Sequence, residues 1–499
     1  MSSNRLIVVS NRLPFSVEEQ NGNVALHPSD GGLVTALLPV LRESGGCWIG
    51  WTGSDSDVNI DGALNQCAVP NCSFEPVPLS AAERTCYYLG CCNQIIWPLF
   101  HDLPSRCDFD PAYWDAYCTV NEKFADALEH TWRSDDFVWV HDYHLMILAG
   151  CLRARGLRCR MGYFHHIPFP HPDILELLPW RNELLRSMLQ FNTIGFQTVR
   201  DRRNFVACIR QFLPNVRVRA VGGKLLVCSE NQYAIVGAYP ISIDYQEFAG
   251  ASADPATAVA ASKIRRDLDG TRAILGIDRL DYTKGILERL KSFETLIATN
   301  PDLRGRVSMV QIVVPSREDI GEYQQLKLAI ERRVSEINGK YAAPGWAPVH
   351  YLYRHLSRSE LIAFYRAADV ALVTPLRDGM NLVSKEFCAC RVDERGVLIL
   401  SEFAGAEAEL KCGALIVNSY DTNGVAEALH RALRMDEREQ RARMHAMRDS
   451  IRSHDVFYWS RSFCAQATPM EPATRPAPVH FSFAPESRAP SEAAAAVGF

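Results

Sequence analysis

The chain has 499 residues, 47% apolar and 22% charged, with a net charge of −5 and a pI near 6.3. It is too long for one compact core and implies two domains of a few hundred residues. With no basic excess and no Lys/Arg run, neither nucleic acid nor a membrane surface is an expected partner.

No apolar run is long enough to span a bilayer, and the opening MSSNRLIVVSNRLP lacks the character of a signal peptide. Sixteen cysteines are scattered without a C-x-x-C pair, and Cys91 and Cys92 are adjacent, an awkward arrangement for a disulfide framework. Reduced, mostly buried cysteines and a cytoplasmic location are expected.

In chain order, short β-rich runs alternate with amphipathic helical patterns. RLIVVSN (5–11) precedes GGLVTALLPVLRES, a helix pattern opening on Gly31 and Gly32. DFVWVHD (136–142) precedes YHLMILAGCLRARG, and CRMGYFHH (159–166) and NTIGFQT (192–198) are further strands. After a hairpin-like KLLVCSENQYAIVGAYPISID the series restarts with RAILGIDRL (272–280) and the helical TKGILERLKSFETLIATN. RVSMVQIVVP (306–315), PVHYLYR (348–354), DVALVTP (369–375), GVLILSE (396–402) and ALIVNSY (414–420) follow.

Apolar strands interleaved with helices predict parallel sheets covered on both faces. The fold class expected is therefore α/β, with two doubly wound, Rossmann-like domains facing across a cleft and a break near 238–244. HDVFYWSRSFC (454–464) reads as a final helix. The segment beyond it is rich in Pro, Ala and Ser, without apolar period, so 467–499 is expected to be disordered.

In open parallel sheets, ligands bind at the C-terminal ends of strands. The polar residues there are Arg12, Asp142, His165, His166, Arg279, Asp281, Lys284, Arg317, Asp378 and Glu402. Arg279 and Lys284, in GIDRLDYTKG, could together hold two phosphates. Internal salt bridges to Asp278 and Asp281 are the plainer alternative, and composition favours them.

Gly31 and Gly32 open a helix where backbone N–H groups can meet an anion, though a Gly-Gly pair also serves as an ordinary turn. The chain has neither G-x-G-x-x-G nor a Walker sequence, which disfavours a dinucleotide oxidoreductase and a P-loop enzyme. HDYH (141–144) and HH (165–166) lack zinc spacing, so no metal is expected. His166 is either a ligand's hydrogen-bond partner or a satisfied core histidine. Tyr87, Tyr88 and Trp97 are either core or a sugar-stacking wall.

These residues, taken with VVSNRLP, GGLVTALLP, GWTG, NQIIWPLFH, VHDYHL, GYFHHIPFP, GFQT, YPISID, DRLDYTKGI, PSRED, INGKY, TPLRDGMNLVSKE and VLILSEFAGA, resemble the trehalose-6-phosphate synthases in order over about residues 5–465. The resemblance implies a two-Rossmann-domain (GT-B) retaining glucosyltransferase. It would make α,α-trehalose 6-phosphate from UDP-glucose and glucose 6-phosphate, with the leaving UDP phosphate assisting front-face transfer.

It further implies an acceptor-binding domain over 1–240 and a nucleotide-sugar-binding domain over 241–452. Residues 453–466 would form a final helix crossing back to the N-terminal domain.

By the same resemblance, Arg279, Lys284, His166 and Asp378 are the catalytic group. Gly31, Gly32, His166, Arg279, Lys284, Leu356, Asp378, Gly379, Met380, Asn381, Leu382, Val383 and Glu386 bind the donor. Arg12, Tyr88, Trp97, Asp142 and Arg317 bind the acceptor. No cofactor or obligatory metal is implied.

A homo-oligomer is expected. No DxDxT phosphatase signature follows residue 465, so a separate phosphatase is expected downstream. Two departures stand out: LGCCN after Tyr88, near the acceptor pocket, and Leu356 where the bacterial pattern can carry Phe. Rival readings are another phosphorylated acceptor such as glycerol 3-phosphate, GDP-glucose as donor, or a non-catalytic regulatory subunit. The last is disfavoured because Arg279, Lys284, His166, Asp378 and Glu386 are all present.

Overall fold

Uninterrupted apolar runs suit strands buried on both faces, and this is how the molecule uses them. A computed structural model describes residues 5–20, 23–28, 31–54, 71–229 and 232–467. From residue 468 on, the Pro/Ala-rich tail lies outside the described residues.

The N-terminal sheet contains β1 (Leu6–Arg12), β4 (Gly46–Trp51), β5 (Cys72–Pro76), β6 (Phe137–His141), β7 (Arg160–His165) and β8 (Thr193–Phe196). It ends in the strands β9 (Arg217–Val221), β10 (Lys224–Ser229) and β11 (Gln232–Ala238). Between β1 and β4 lies a separate antiparallel hairpin, β2 (Phe15–Gln20) with β3 (Asn23–Pro28). The order is β5-β4-β1-β6-β7-β8-β11-β10-β9. Every pair is parallel as far as β11, and β10 and β9 add an antiparallel edge.

The C-terminal sheet contains β12 (Arg272–Arg279), β13 (Val307–Val314), β14 (Val349–Tyr353), β15 (Val370–Val373), β16 (Val397–Ser401) and β17 (Leu415–Val417). It is wholly parallel in the order β14-β13-β12-β15-β16-β17. Numbered within the sheet this is 3-2-1-4-5-6, the doubly wound order whose ligand crevice opens where the order reverses. That point lies between β12 and β15. The N-terminal sheet reverses in the same way between β1 and β6.

The chain leaves the first sheet after Ala238 and enters the second region through the helix Tyr245–Ala253. It returns at its end. Helix Val456–Cys464 starts with Val456 N–H donating to the Ile243 carbonyl. Trp459 and Phe463 pack on Trp139, with ring centroids 4.8 and 5.0 Å apart. Gly162 and Gly195 make room for Phe463, since a Cβ on either would come within 2.8 Å of its ring.

Strands β4 and β5 and the β2–β3 hairpin were not among the elements read from the sequence. GCWIGW is short and carries a glycine at its start and another inside it, which hides its pattern.

Candidate active site

The two reversal points face each other, and the charged residues gather there. Arg12 closes β1 and Asp142 follows β6 on the N-terminal side. Arg279 closes β12, Lys284 lies in the turn after it, and Asp378 follows β15.

Lys284 Nζ donates to Asp378 Oδ2 at 2.6 Å, with 13% and 10% of their side chains exposed. Burial alone would raise the Asp378 carboxyl; Lys284 overcomes this and holds it below the usual carboxylate value. The alternative partners are occupied elsewhere: Asp278 pairs with buried Arg289, and Asp281 with Arg317 at 3.2 Å. Arg279 forms no ion pair among the described residues; its guanidinium lies 6.0 Å from the Trp97 ring centre.

The loop after Asp378 is shaped by backbone geometry. Met380 N–H and the Asn381 side-chain amide donate to the Asp378 carboxylate at 3.2 and 3.3 Å. Asn381 sits at φ 68° and caps helix Leu382–Cys390 by accepting from Ser384 N–H at 3.1 Å. A Cβ on Gly379 would lie 2.1 Å from the His166 carbonyl oxygen, so glycine lets the two domains touch backbone to backbone. Gly32 faces the Leu382 side chain, its Cβ position 3.3 Å from Leu382 Cδ1. Gly31 is the N-cap residue of helix Gly32–Ser44.

One turn along the Leu382–Cys390 helix, Glu386 accepts from Tyr365 O–H at 2.7 Å, and burial raises its carboxyl. Leu356 precedes helix Arg358–Ala367 and is half-buried against the same hydrophobic core on which Met380 and Val383 pack.

Facing this group is a cationic pocket. Arg12 stacks over Trp51 and Tyr88, 4.7 and 5.4 Å from their ring centres, and forms no ion pair among the described residues. Arg317 crosses from the C-terminal domain, with its guanidinium 4.2 Å from the Trp97 ring centre and Nη2 3.4 Å from the Tyr143 hydroxyl. Its Nη1 donates to Tyr323 at 2.6 Å as well as to Asp281. Burial would raise the Tyr88 phenol, but Arg12, Arg317 and Arg279 together bring it below the ordinary tyrosine value. Three guanidiniums converging on one phenol make a site built for an anion.

Asp142 Oδ1 accepts from His166 N–H at 3.3 Å, and burial pushes its carboxyl up to about 6 against Arg279 and Arg317. Its backbone is at φ 72°, ψ 169°, a region otherwise almost reserved for glycine. Arg317 (φ 53°) and Asn381 are also left-handed, so three of the strained non-glycine residues among those described line this one cleft. Strain of this kind persists where surrounding structure enforces it, commonly at functional sites.

The histidines separate. His165 turns inward, its Nδ1 2.9 Å from Tyr163 Oη, among Phe100, Phe169 and Phe196. His166 is buried, with both ring nitrogens engaged by Gln197 and His141. Among the described residues no group of three or more His, Cys, Asp or Glu could hold a metal ion. Glu402 is exposed and outside the cluster.

The model of glycosyltransferase family 20 matches residues 4–468. The chain belongs to that family. Among relatives, it is 42% identical over 468 residues to the trehalose-6-phosphate synthase of Mycobacterium marinum, covering 92% of each chain.

A Burkholderia xenovorans α,α-trehalose-phosphate synthase (UDP-forming), solved with glucose-6-phosphate, superposes with TM-score 0.86 at 36% identity, over 93% of this chain and 100% of that one. An E. coli structure bound with UDP-2-fluoro glucose gives 0.83 at 36% identity, over 93% and 99%.

Several cleft residues of this family 20 chain were not singled out from sequence. Tyr323 holds Arg317, Tyr365 holds Glu386, and Trp51 underlies Arg12. His101 stacks on Trp97 with centroids 4.2 Å apart, its Nδ1 2.7 Å from the Trp97 carbonyl, and burial lowers it to about 4. The same strand-end rule that marked Asp142 would have found Gln197, which directly follows β8.

Proposed function

We propose that the chain transfers glucose from UDP-glucose to glucose 6-phosphate with retention of configuration, forming α,α-trehalose 6-phosphate and UDP. The observation that carries this reading is the opposition of two different charged clusters at two facing reversal points. Family membership and likeness to the solved synthases support it.

In this reading Arg279 and Lys284 neutralise the donor diphosphate, with the N-terminal backbone at Gly31 and Gly32 beside it. Asp378 and the Gly379–Met380–Asn381 backbone hold the glucose, His166 lies against that sugar, and Glu386 takes the ribose with Leu382 and Val383. Leu356 flanks the base. Arg12 and Arg317 clamp the acceptor phosphate, while Tyr88, Trp97 and Asp142 shape the rest of the acceptor site.

A double-displacement mechanism needs a free carboxylate near the anomeric carbon. The buried carboxylates of this cleft are engaged: Asp378 with Lys284, Asp281 with Arg317, Glu386 with Tyr365, and Asp142 with His166 N–H. Their engagement supports front-face transfer. The acceptor oxygen bonds to C1 as the C1–O bond to the β-phosphate breaks, and the acceptor proton passes to that phosphate. The protein contributes positive charge and alignment. No cofactor or resident metal takes part in this reading.

No helix of the described residues is long and apolar enough to cross a membrane. A cytoplasmic location, self-association and a separate phosphatase acting on the product complete the proposal. So does a division into domains near residue 240, with 453–466 belonging to the first.

A UDP-release assay across donors and acceptors tests the reading. Release should require glucose 6-phosphate, with glucose weaker by about 100-fold or more, since two charge-assisted contacts are lost. Equal rates with glycerol 3-phosphate, or a preference for GDP-glucose, would overturn it.

A further inference from the structure

Two buried side chains from different domains converge on the backbone of one residue in the connection between them. Gln197 accepts from Ile241 N–H on Oε1 at 2.9 Å and donates through Nε2 to His166 Nδ1 at 3.0 Å. Lys385 Nζ donates to the Ile241 carbonyl at 2.7 Å and pairs with Glu409. Lys385 lies on helix Leu382–Cys390, next to Glu386. Gln197 is 3% exposed, and Lys385 and His166 are 1% exposed.

The donor directions follow from the chemistry. A backbone N–H only donates, so the Gln197 oxygen faces Ile241 and its NH2 group faces His166. An NH2 group only donates, so His166 Nδ1 is bare and the proton of the neutral ring is on Nε2. That nitrogen lies 3.0 Å from His141 Nδ1, which must accept. His141 is left with its own proton on Nε2, buried and without an acceptor among the described residues. Burial lowers His166 to about 3, in keeping with a neutral ring.

The His166 backbone then faces both clusters: its N–H donates to Asp142 and its carbonyl abuts Gly379.

We propose that Gln197 and Lys385 are positioning residues that act on the transfer site through the backbone of Ile241. Gln197 fixes the tautomer and placement of His166 on one side of the cleft. Lys385 seats the Glu386 helix on the other. Ile241 thereby holds the two halves in register. This rests on the reading of the cleft given above.

A role confined to satisfying buried polar groups would alter stability and leave turnover alone. Gln197→Met preserves shape and removes both hydrogen bonds. Gln197→Glu keeps the acceptor for Ile241 but removes the donor facing His166. In folded variants kcat should fall about 10- to 100-fold, with the KM for glucose 6-phosphate within about threefold of wild type. Adding Lys385→Met to Gln197→Met should cost less than the product of the single losses, because Ile241 is already released.

Imidazole nitrogen spectra of the wild-type chain should show His166 and His141 as neutral Nε2–H forms, with His166 changing state in Gln197→Glu. Wild-type kcat in folded Gln197→Met, or a wild-type Nδ1–H tautomer at His166, would overturn the proposal. If Lys385→Met does not fold, the Gln197 variants and the spectra still decide it. A wild-type chain inactive with these substrates would instead contradict the functional reading, while the spectra continue to test the histidine assignment.

Discussion

Lys284 Nζ lies 2.6 Å from Asp378 Oδ2, joining the turn after β12 to the loop after β15 across the point where the strand order reverses. The pair ties two strand-end loops of the C-terminal sheet together, and in the proposed reading it makes Lys284 both an electrostatic and a structural group. Lys284→Ala should lower kcat by about 100- to 1000-fold, the usual cost of removing one donor aimed at developing charge. It should also leave Asp378 buried and unpaired, lowering the melting temperature by several degrees. Because Asp378 is depressed in the folded state, its contribution to stability is present above the ordinary carboxylate range and lost as pH falls through the folded value. Melting curves between pH 3 and 7 should show a shallower acid loss in the variant than in wild type.

Arg12 and Arg317 should behave differently although the proposed reading gives both to the acceptor phosphate. Arg12 forms no ion pair among the described residues and rests on Trp51 and Tyr88, so little of the described fold depends on its charge. Arg12→Ala should cut kcat/KM for glucose 6-phosphate by about 10- to 100-fold while shifting the melting temperature by roughly 2 °C or less. Arg317→Ala strands Asp281, which is 1% exposed, and should lose about 3 kcal/mol of stability in addition to activity. Equal melting temperatures for the two variants would contradict this division.

Asp142 should give the acid side of the pH profile. Its carboxyl is pushed up to about 6 in the free protein, so its charged form is gained as pH rises through that value. In the proposed reading a charged Asp142 accepts hydrogen bonds from the acceptor's hydroxyls; the protonated form would do so poorly. The acceptor phosphate also titrates near 6, so kcat/KM for glucose 6-phosphate should rise with a limiting slope of about two in wild type and about one in Asp142→Asn. The sign for stability is opposite: a raised carboxyl costs stability as pH climbs from about 4 to about 6.

The parts legible in the sequence are those written locally. RAILGIDRL and DVALVTP announce buried parallel strands because burial on both faces demands unbroken apolar runs. The rule that ligands bind beyond strand ends then marked Arg12, Asp142, Lys284 and Asp378. Strand order was not legible, because an apolar run does not name its neighbour. Nor was the pairing of Lys284, for which Asp278 and Asp281 are nearer in the chain; Asp378 wins because the reversal point brings β12 and β15 side by side. The left-handed backbones of Asp142 and Arg317 were equally hidden, since neither residue type signals positive φ as glycine does.

Backbone crowding at the loop after β15 supplies a contrast between two glycines. A Cβ on Gly405 would lie 1.8 Å from the Gly379 carbonyl oxygen, whereas one on Gly250, in helix Tyr245–Ala253, would meet nothing within 4 Å. Gly405→Ala should displace the Asp378–Asn381 loop and lower both kcat and melting temperature. Gly250→Ala should leave kcat unchanged and add up to about 1 kcal/mol of stability. Thermal melts and steady-state rates on the two variants check this.

The most direct test of the central claim is the NMR spectrum of the product formed from UDP-glucose and glucose 6-phosphate. The expected outcome is a stoichiometric release of UDP and a single disaccharide phosphate whose two anomeric centres are both α. A β-configured new linkage, free glucose in place of the disaccharide, or no turnover of this substrate pair would contradict it.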